Sequence, residues 1–204
     1  MKKIKIAIRN YFIKKFVNLV SDIRIAYELK EWNNISKLFK FLGENVIVQY
    51  PYLISGQQNI EIGDNFRALS QFRLQAITSY GNDKFNPSIH IGKNVSIESN
   101  CHIGAINEII IEDNVMIASN VFISDHFHGK IIIDDLKIAP DKRSLTSKGS
   151  IKIEKNVWIG DSVCIMPGVT IGENSVVGAN AVVTKSIPAN SIVAGIPAKV
   201  IKQF

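Results

Sequence analysis

The sequence predicts an all-β chain folded as a parallel β-helix solenoid, preceded by a helical segment and interrupted by one long loop excursion. Two periodic patterns carry the solenoid. Aliphatic residues recur every six positions at Ile91, Ile97 and Ile103, at Ile111, Ile117 and Ile123, and from Ile153 through Ile159, Ile165, Ile171 and Val177 to Val183. Four residues after most of them stands a second small or branched residue: Val95, Cys101, Val115, Val121, Val157, Val163, Val169, Ser175 or Ala181. Neither the 3.6-residue helix period nor plain strand alternation yields a six-residue repeat, whereas short strand and corner in succession does.

The elements follow in order. Residues 1–43 read as a basic helical segment, with Ile8, Phe12, Phe16, Leu19 and Val20 toward one face. Residues 44–204 read as the solenoid domain, with irregular early coils around Ile47, Leu53 and Ile60–Ile62. Corners are marked by Asn at 65, 94, 100, 114, 120, 156, 174, 180 and 190. Asn tolerates left-handed backbone better than other non-glycine residues, so its recurrence marks a recurring bend. Three hexads make one triangular coil of about 18 residues. Two extra residues fall between Ile103 and Ile111, and a far longer excursion spans 125–150. An insertion of that size in a regular solenoid points to function. The C-terminal tail is 188–204.

Charge is concentrated at the N-terminus. Residues 1–40 hold ten Lys/Arg against Asp22, Glu28 and Glu31, a net +7 in a chain of +6 overall. The segment has two readings: a helical cap over the open end of the solenoid, or peripheral contact of residues 1–40 with an anionic membrane surface. Cys101 and Cys164 are the two cysteines, without metal-type spacing, which fits a reducing compartment. Arg9, Lys14 and Lys15 interrupt any signal-type apolar run, and no stretch reaches the roughly 18 apolar residues of a membrane span. A soluble, cytoplasmic protein is expected, with association at the inner face of the membrane as the alternative. No phosphate-binding glycine loop or nucleic-acid motif is present.

Four segments narrow the reading: ISDHFHG at 123–129, NVWIGDSVCIMPGVTIG at 156–172, GANAVVTKSIP at 178–188 and AGIPAKVIK at 194–202. Over residues 88–204 the chain resembles the hexapeptide-repeat acyltransferases. Within these it is most similar to galactoside and maltose O-acetyltransferases and to those of bacterial surface-polysaccharide synthesis. The resemblance implies a left-handed β-helix, a homotrimer, acetyl coenzyme A in a groove between coils, and a saccharide acceptor.

It also implies the site residues. A hydroxyl is a poor nucleophile and needs a base. An imidazole, ordinarily near pKa 6.5, suits that task, and general-base help is worth roughly 10²–10⁴ in rate. The family position falls on His126, with His128 and Asp125 placed toward the acceptor. His90 and His102, inside repeats, read as structural. The Asp161 N–H is the expected donor to the thioester oxygen. Trp158, Ala179 and Thr184 would line the pantetheine and adenine, and Lys185, Lys199 and Lys202 would meet the phosphates. Family members often carry Arg where Lys199 and Lys202 stand, and Lys lacks the bidentate fork.

The function expected is acetyl transfer to a sugar hydroxyl of a surface polysaccharide such as O-antigen or capsule. N-acetylation of an amino sugar is the alternative. A zinc carbonic anhydrase on the same solenoid would need three converging His, with His126 and His128 sharing one loop. An ice-binding scaffold would need flat Thr arrays and no long loop. No metal is expected.

Overall fold

The computed structural model describes residues 2–130 and 132–204, with side chains from Ile13 onward. The chain divides into two compact units, 1–38 and 39–204. The first is a single helix, α1, Lys2–Ser36. Ile8 and Phe12, expected on its apolar face, lie outside the described side chains. Ile13, Phe16, Val20 and Ile23 fall on one side of α1 and are all exposed. Among the described residues no helix is long and apolar enough to cross a membrane.

The second unit is a three-sided, left-handed parallel β-helix. Three sheets, parallel except for the last strand of the second, form its faces, and successive strands visit them in turn. In one coil the chain passes from Ser88–Ile91 on the first face to Ser96–Ile97 on the second and His102–Ala105 on the third. The inward residues form one apolar column: Ile62, Ile91, Ile111, Ile153 and Ile171 from the first face, Ile97, Ile117, Ile159 and Val177 from the second, Leu74, Ile103, Ile123, Ile165 and Val183 from the third. Every one of them is at most 1% exposed. Stacked strands thus bury a side that no single coil could bury alone.

The early coils are built on the same plan, with one difference in phase. Ile47 and Leu53 point outward, 61% and 52% exposed, and Val48 and Ile54 pack toward the core. Alternate residues of a strand face opposite sides, so a shift of one residue exchanges core and solvent.

The corner asparagines behave as their backbone preference dictates. Each of the nine singled out in the sequence has φ between 54° and 62°. At the corner between first and second faces their amides form a ladder, Asn45–Asn65–Asn94–Asn114–Asn156–Asn174–Asn190. Each side chain thereby meets the next coil instead of a ligand.

Coil length varies, and all the variation sits at one corner. From Trp158 to its register partner Val176 the coil is 18 residues, as three hexads require. From Ser96 to Met116 it is 20, from Arg67 to Ser96 it is 29, and from Met116 to Trp158 it is 42. Each surplus lies between the third face and the first. It comprises Ile106–Asn107, a hairpin of Ser79–Tyr80 and Asp83–Lys84, and the 125–150 excursion. Insertions from neighbouring coils therefore project along a single edge.

Candidate active site

That edge holds the site. The excursion begins as an antiparallel stem, His126–His128 pairing with Leu145–Ser147, and its outer part contains a short helix, Ile133–Leu136. The hairpin on the earlier coil reaches it: Tyr80 Oη donates to the Asp141 carbonyl at 2.7 Å, and the Tyr80 ring meets His128 edge-on at 5.3 Å. Between them and the third face lies a pocket of about 470 Å³ lined by Arg73, Gln75, His102, Phe122, His126 and His128.

Asp125 explains how His126 is aimed. The two-residue bulge at 106–107 in the coil before it would leave amide groups without ladder partners, a costly arrangement where buried. The Asp125 carboxylate accepts all three: Ile106 N–H at 2.9 Å, Asn107 at 2.8 Å and Glu108 at 2.9 Å. The same carboxylate stands 3.0 Å from His126 Nδ1, and Ser124 Oγ lies 3.2 Å from that nitrogen. Asp125 is fully buried. It was expected among the acceptor contacts, yet its oxygens are used by the backbone and the imidazole, so it sits behind His126 and cannot meet an acceptor. With Nδ1–H donating to Asp125, Nε2 is left as a proton acceptor. The His126 side chain is only 12% exposed, so the orientation is firmly held.

His102 belongs to the pocket as well as to its repeat. It packs edge-on against Phe122 at 5.2 Å. Burial, followed by the Arg73 and His126 charges, pushes its pKa down to about 4, so the ring is neutral near pH 7. Gly104 lets both imidazoles close in: a Cβ there would stand 3.2 Å from His102 Nε2 and 3.4 Å from His126 Cε1. His128 is exposed at the outer wall. Although three imidazoles line this pocket, no group of three His, Cys, Asp or Glu among the described residues could hold a metal ion.

The residues expected on the donor side lie elsewhere. Trp158 projects from the second face, 51% exposed, in register with exposed Met116. Asp161 occupies the next corner. Its carboxylate accepts the Ser119 N–H at 3.1 Å, a tie between coils, and its own N–H has no protein acceptor among the described residues. Ala179 lies on the following coil, so close to Gly160 that a Cβ on that glycine would sit 2.7 Å from its nitrogen. Thr184 and Lys185 follow the last strand of the third face, exposed. Lys199 and Lys202 lie on Lys199–Gln203, which returns antiparallel onto Ser191–Ala194. His126 and Asp161 are thus at opposite edges of the third face. Some five residues of extended chain separate those corners, roughly 16 Å, so one chain does not bring the His126 imidazole and the Asp161 N–H together.

The chain's relatives agree with this architecture. Residues 150–185 match the bacterial transferase hexapeptide (six repeats) model, and residues 88–125 match the hexapeptide repeat of succinyl-transferase. A protein of Escherichia coli K12 assigned to lipopolysaccharide biosynthesis as an O-acetyl transferase is 38% identical over 162 residues, covering 78% of this chain and 79% of that one. The chain belongs to the hexapeptide-repeat acyltransferases. The galactoside O-acetyltransferase of the same organism is 36% identical over 175 residues, covering 83% of this chain and 66% of the relative. Among solved structures, a hexapeptide-repeat acetyltransferase from Vibrio cholerae O1 biovar eltor, complexed with acetyl coenzyme A, superposes with a TM-score of 0.60 at 26% identity, over 86% and 77% of the two chains.

Sequence reasoning about this acyltransferase missed Arg73, Gln75 and Tyr80, and set His102 aside as structural. One signal was available for His102. In a 20-residue coil, the residue 20 before Phe122 faces the same way, so His102 stacks beneath the strand that delivers His126. Tyr80 carried no such signal, because its hairpin interrupts the repeat.

Proposed function

We propose that this acyltransferase moves the acetyl group of acetyl coenzyme A directly to a sugar hydroxyl, in the cytoplasmic synthesis of a bacterial surface polysaccharide such as O-antigen or capsule. The observation that carries the reading is the buried Asp125 carboxylate holding His126 Nδ1, with Nε2 left as an acceptor in a pocket of mixed polar and apolar walls. His126 Nε2 takes the hydroxyl proton as the sugar oxygen attacks the acetyl carbonyl. The Asp161 N–H donates to the oxyanion, help worth roughly 10²–10³ in rate. Collapse breaks the carbon–sulfur bond, and the imidazolium returns its proton to the leaving thiolate. Asp125 steadies the charge that His126 carries in between.

Because His126 and Asp161 occupy different corners of one chain, the reaction centre forms between copies of a homotrimer, with His126 from one and Asp161 from the next. Trp158, Ala179 and Thr184 line the pantetheine and adenine, and Lys185, Lys199 and Lys202 face the phosphates. Helix α1 rests on the anionic membrane surface where lipid-linked acceptors lie. Its basic charge and its exposed Ile13, Phe16, Val20 and Ile23 support that role.

The deciding experiment measures thiol release from acetyl coenzyme A against a panel of sugars, with product analysis. Ester formation on a hydroxyl, abolished by His126→Ala, is expected. Amide formation on an amino sugar would replace the reading by N-acetylation, and absence of thiol release with every acceptor would end it. Sedimentation with anionic but not neutral vesicles tests the role of α1.

A further inference from the structure

The His126 pocket is one of three that run together along the insertion edge. It shares Tyr80 with an outer cleft of about 660 Å³ between the hairpin and the excursion. It shares Gln75 and Ile77 with an inner cleft of about 330 Å³ at the foot of the hairpin. We infer that the acceptor is an oligosaccharide of at least three units, the reacting unit in the His126 pocket and its neighbours in the two flanking clefts. The inference rests on the saccharide acceptor proposed above.

The chemistry of the walls selects sugar over phosphate. The outer cleft presents Asn82, Asp83, Asp141 and Ser144, and the inner one Ser55, Gln75 and Thr78. Amide, hydroxyl and carboxylate groups of this kind suit sugar hydroxyls, which both donate and accept. Two cations border the outer cleft, and both are engaged. Lys142 pairs with Asp141 at 3.4 Å, and Arg143 donates to the Ile138 and Leu136 carbonyls at 2.9 and 3.4 Å. The cleft's two carboxylates, Asp83 and Asp141, balance its two cations, Lys142 and Arg143, so it offers no excess of positive charge to a phosphate, whereas a neutral sugar needs none. A single sugar would fill only the middle of this track. Units bound on either side would raise the rate of the central step by fixing its position.

The test uses the full-length protein, acetyl coenzyme A and ladders of one to four units of galactose, glucose, mannose and rhamnose, with the acetylated unit located by NMR. The expected result is a kcat/KM at least ~10-fold higher for three units than for one, with the acetyl on an internal unit. Asp83→Ala in the outer cleft and Thr78→Val in the inner one should each lower that ratio, so a defect in folding of either variant leaves the other to decide. Equal kcat/KM at every length, or acetylation of terminal units alone, overturns the inference and leaves the saccharide reading standing. Acetylation of no ladder at any length overturns the saccharide reading and the inference with it.

Discussion

His126 and Asp125 divide one task between adjacent residues. Neighbours along a strand point to opposite sides, and here the strand ladder ends between them, with Asp125 N–H making the last ladder bond to Gly104 at 3.3 Å. Asp125 turns inward to gather the amides of 106–108, and His126 swings over the pocket. His126→Ala should lower kcat by at least ~10² while donor affinity, measured by calorimetry with coenzyme A, is retained. His128→Ala should instead raise the acceptor KM. A dead His128→Ala beside a near-normal His126→Ala would move the base two residues along. His102 offers a pH test. Its folded-state pKa of about 4 lies below the ordinary 6.5, so between those values the unfolded chain binds more protons than the folded one. Its contribution is therefore complete above about pH 6.5 and is lost as pH falls toward 4. Urea titrations of wild type and His102→Gln at pH 7 and pH 5 should show the wild type losing more stability on acidification than the variant does. Parallel losses would mean that the imidazole titrates normally.

The Asn ladder turns a corner preference into an interaction between coils. Asn114 stands at φ 59°, receiving a bond from Asn94 at 3.0 Å and giving one to Asn156 at 3.3 Å. Asn114→Ala forces a Cβ into left-handed backbone without the amide, whereas Asn114→Gly loses the amide but relieves the backbone. The alanine variant should be less stable than the glycine one by about 1 kcal/mol in equilibrium denaturation. If the two were equal, or the glycine variant worse, side-chain bonding and not backbone geometry would govern the corner. The excursion follows another logic. Its stem is a β-ladder, but its outer part is tied to the hairpin by the bond from Tyr80 to Asp141. Removing that tie leaves the column of Ile and Val untouched, so it should affect acceptor binding before stability.

Assembly and donor binding belong to the molecule as a whole. Light scattering should give three times the 22.7 kDa chain mass, and an active monomer at assay concentration would rule the trimer out. The Lys199→Ala and Lys202→Ala pair should raise the donor KM far more than it lowers kcat, and should flatten its salt dependence. An unchanged, salt-insensitive KM would take these lysines away from the phosphates.

The solenoid could be read from residues in order because its rule is local. Each hexad carries its inward aliphatic, its corner and its backbone preference within six positions, and stacking merely repeats them. Ile159 and Asn156 would mean the same in any coil of this kind. The pocket obeys a different rule. Arg73, His102 and His126 come together only because coils of 29 and 20 residues set the register between them, and Asp125 finds its partners 17 to 19 residues away. Phase was equally invisible in the first coil, where Ile47 and Val48 are equally apolar and only the packing of the next coil chooses Val48. The unlike roles of Asp125 and His126 have the same origin: chemistry made both candidates, and which one met solvent depended on amide groups orphaned in another coil.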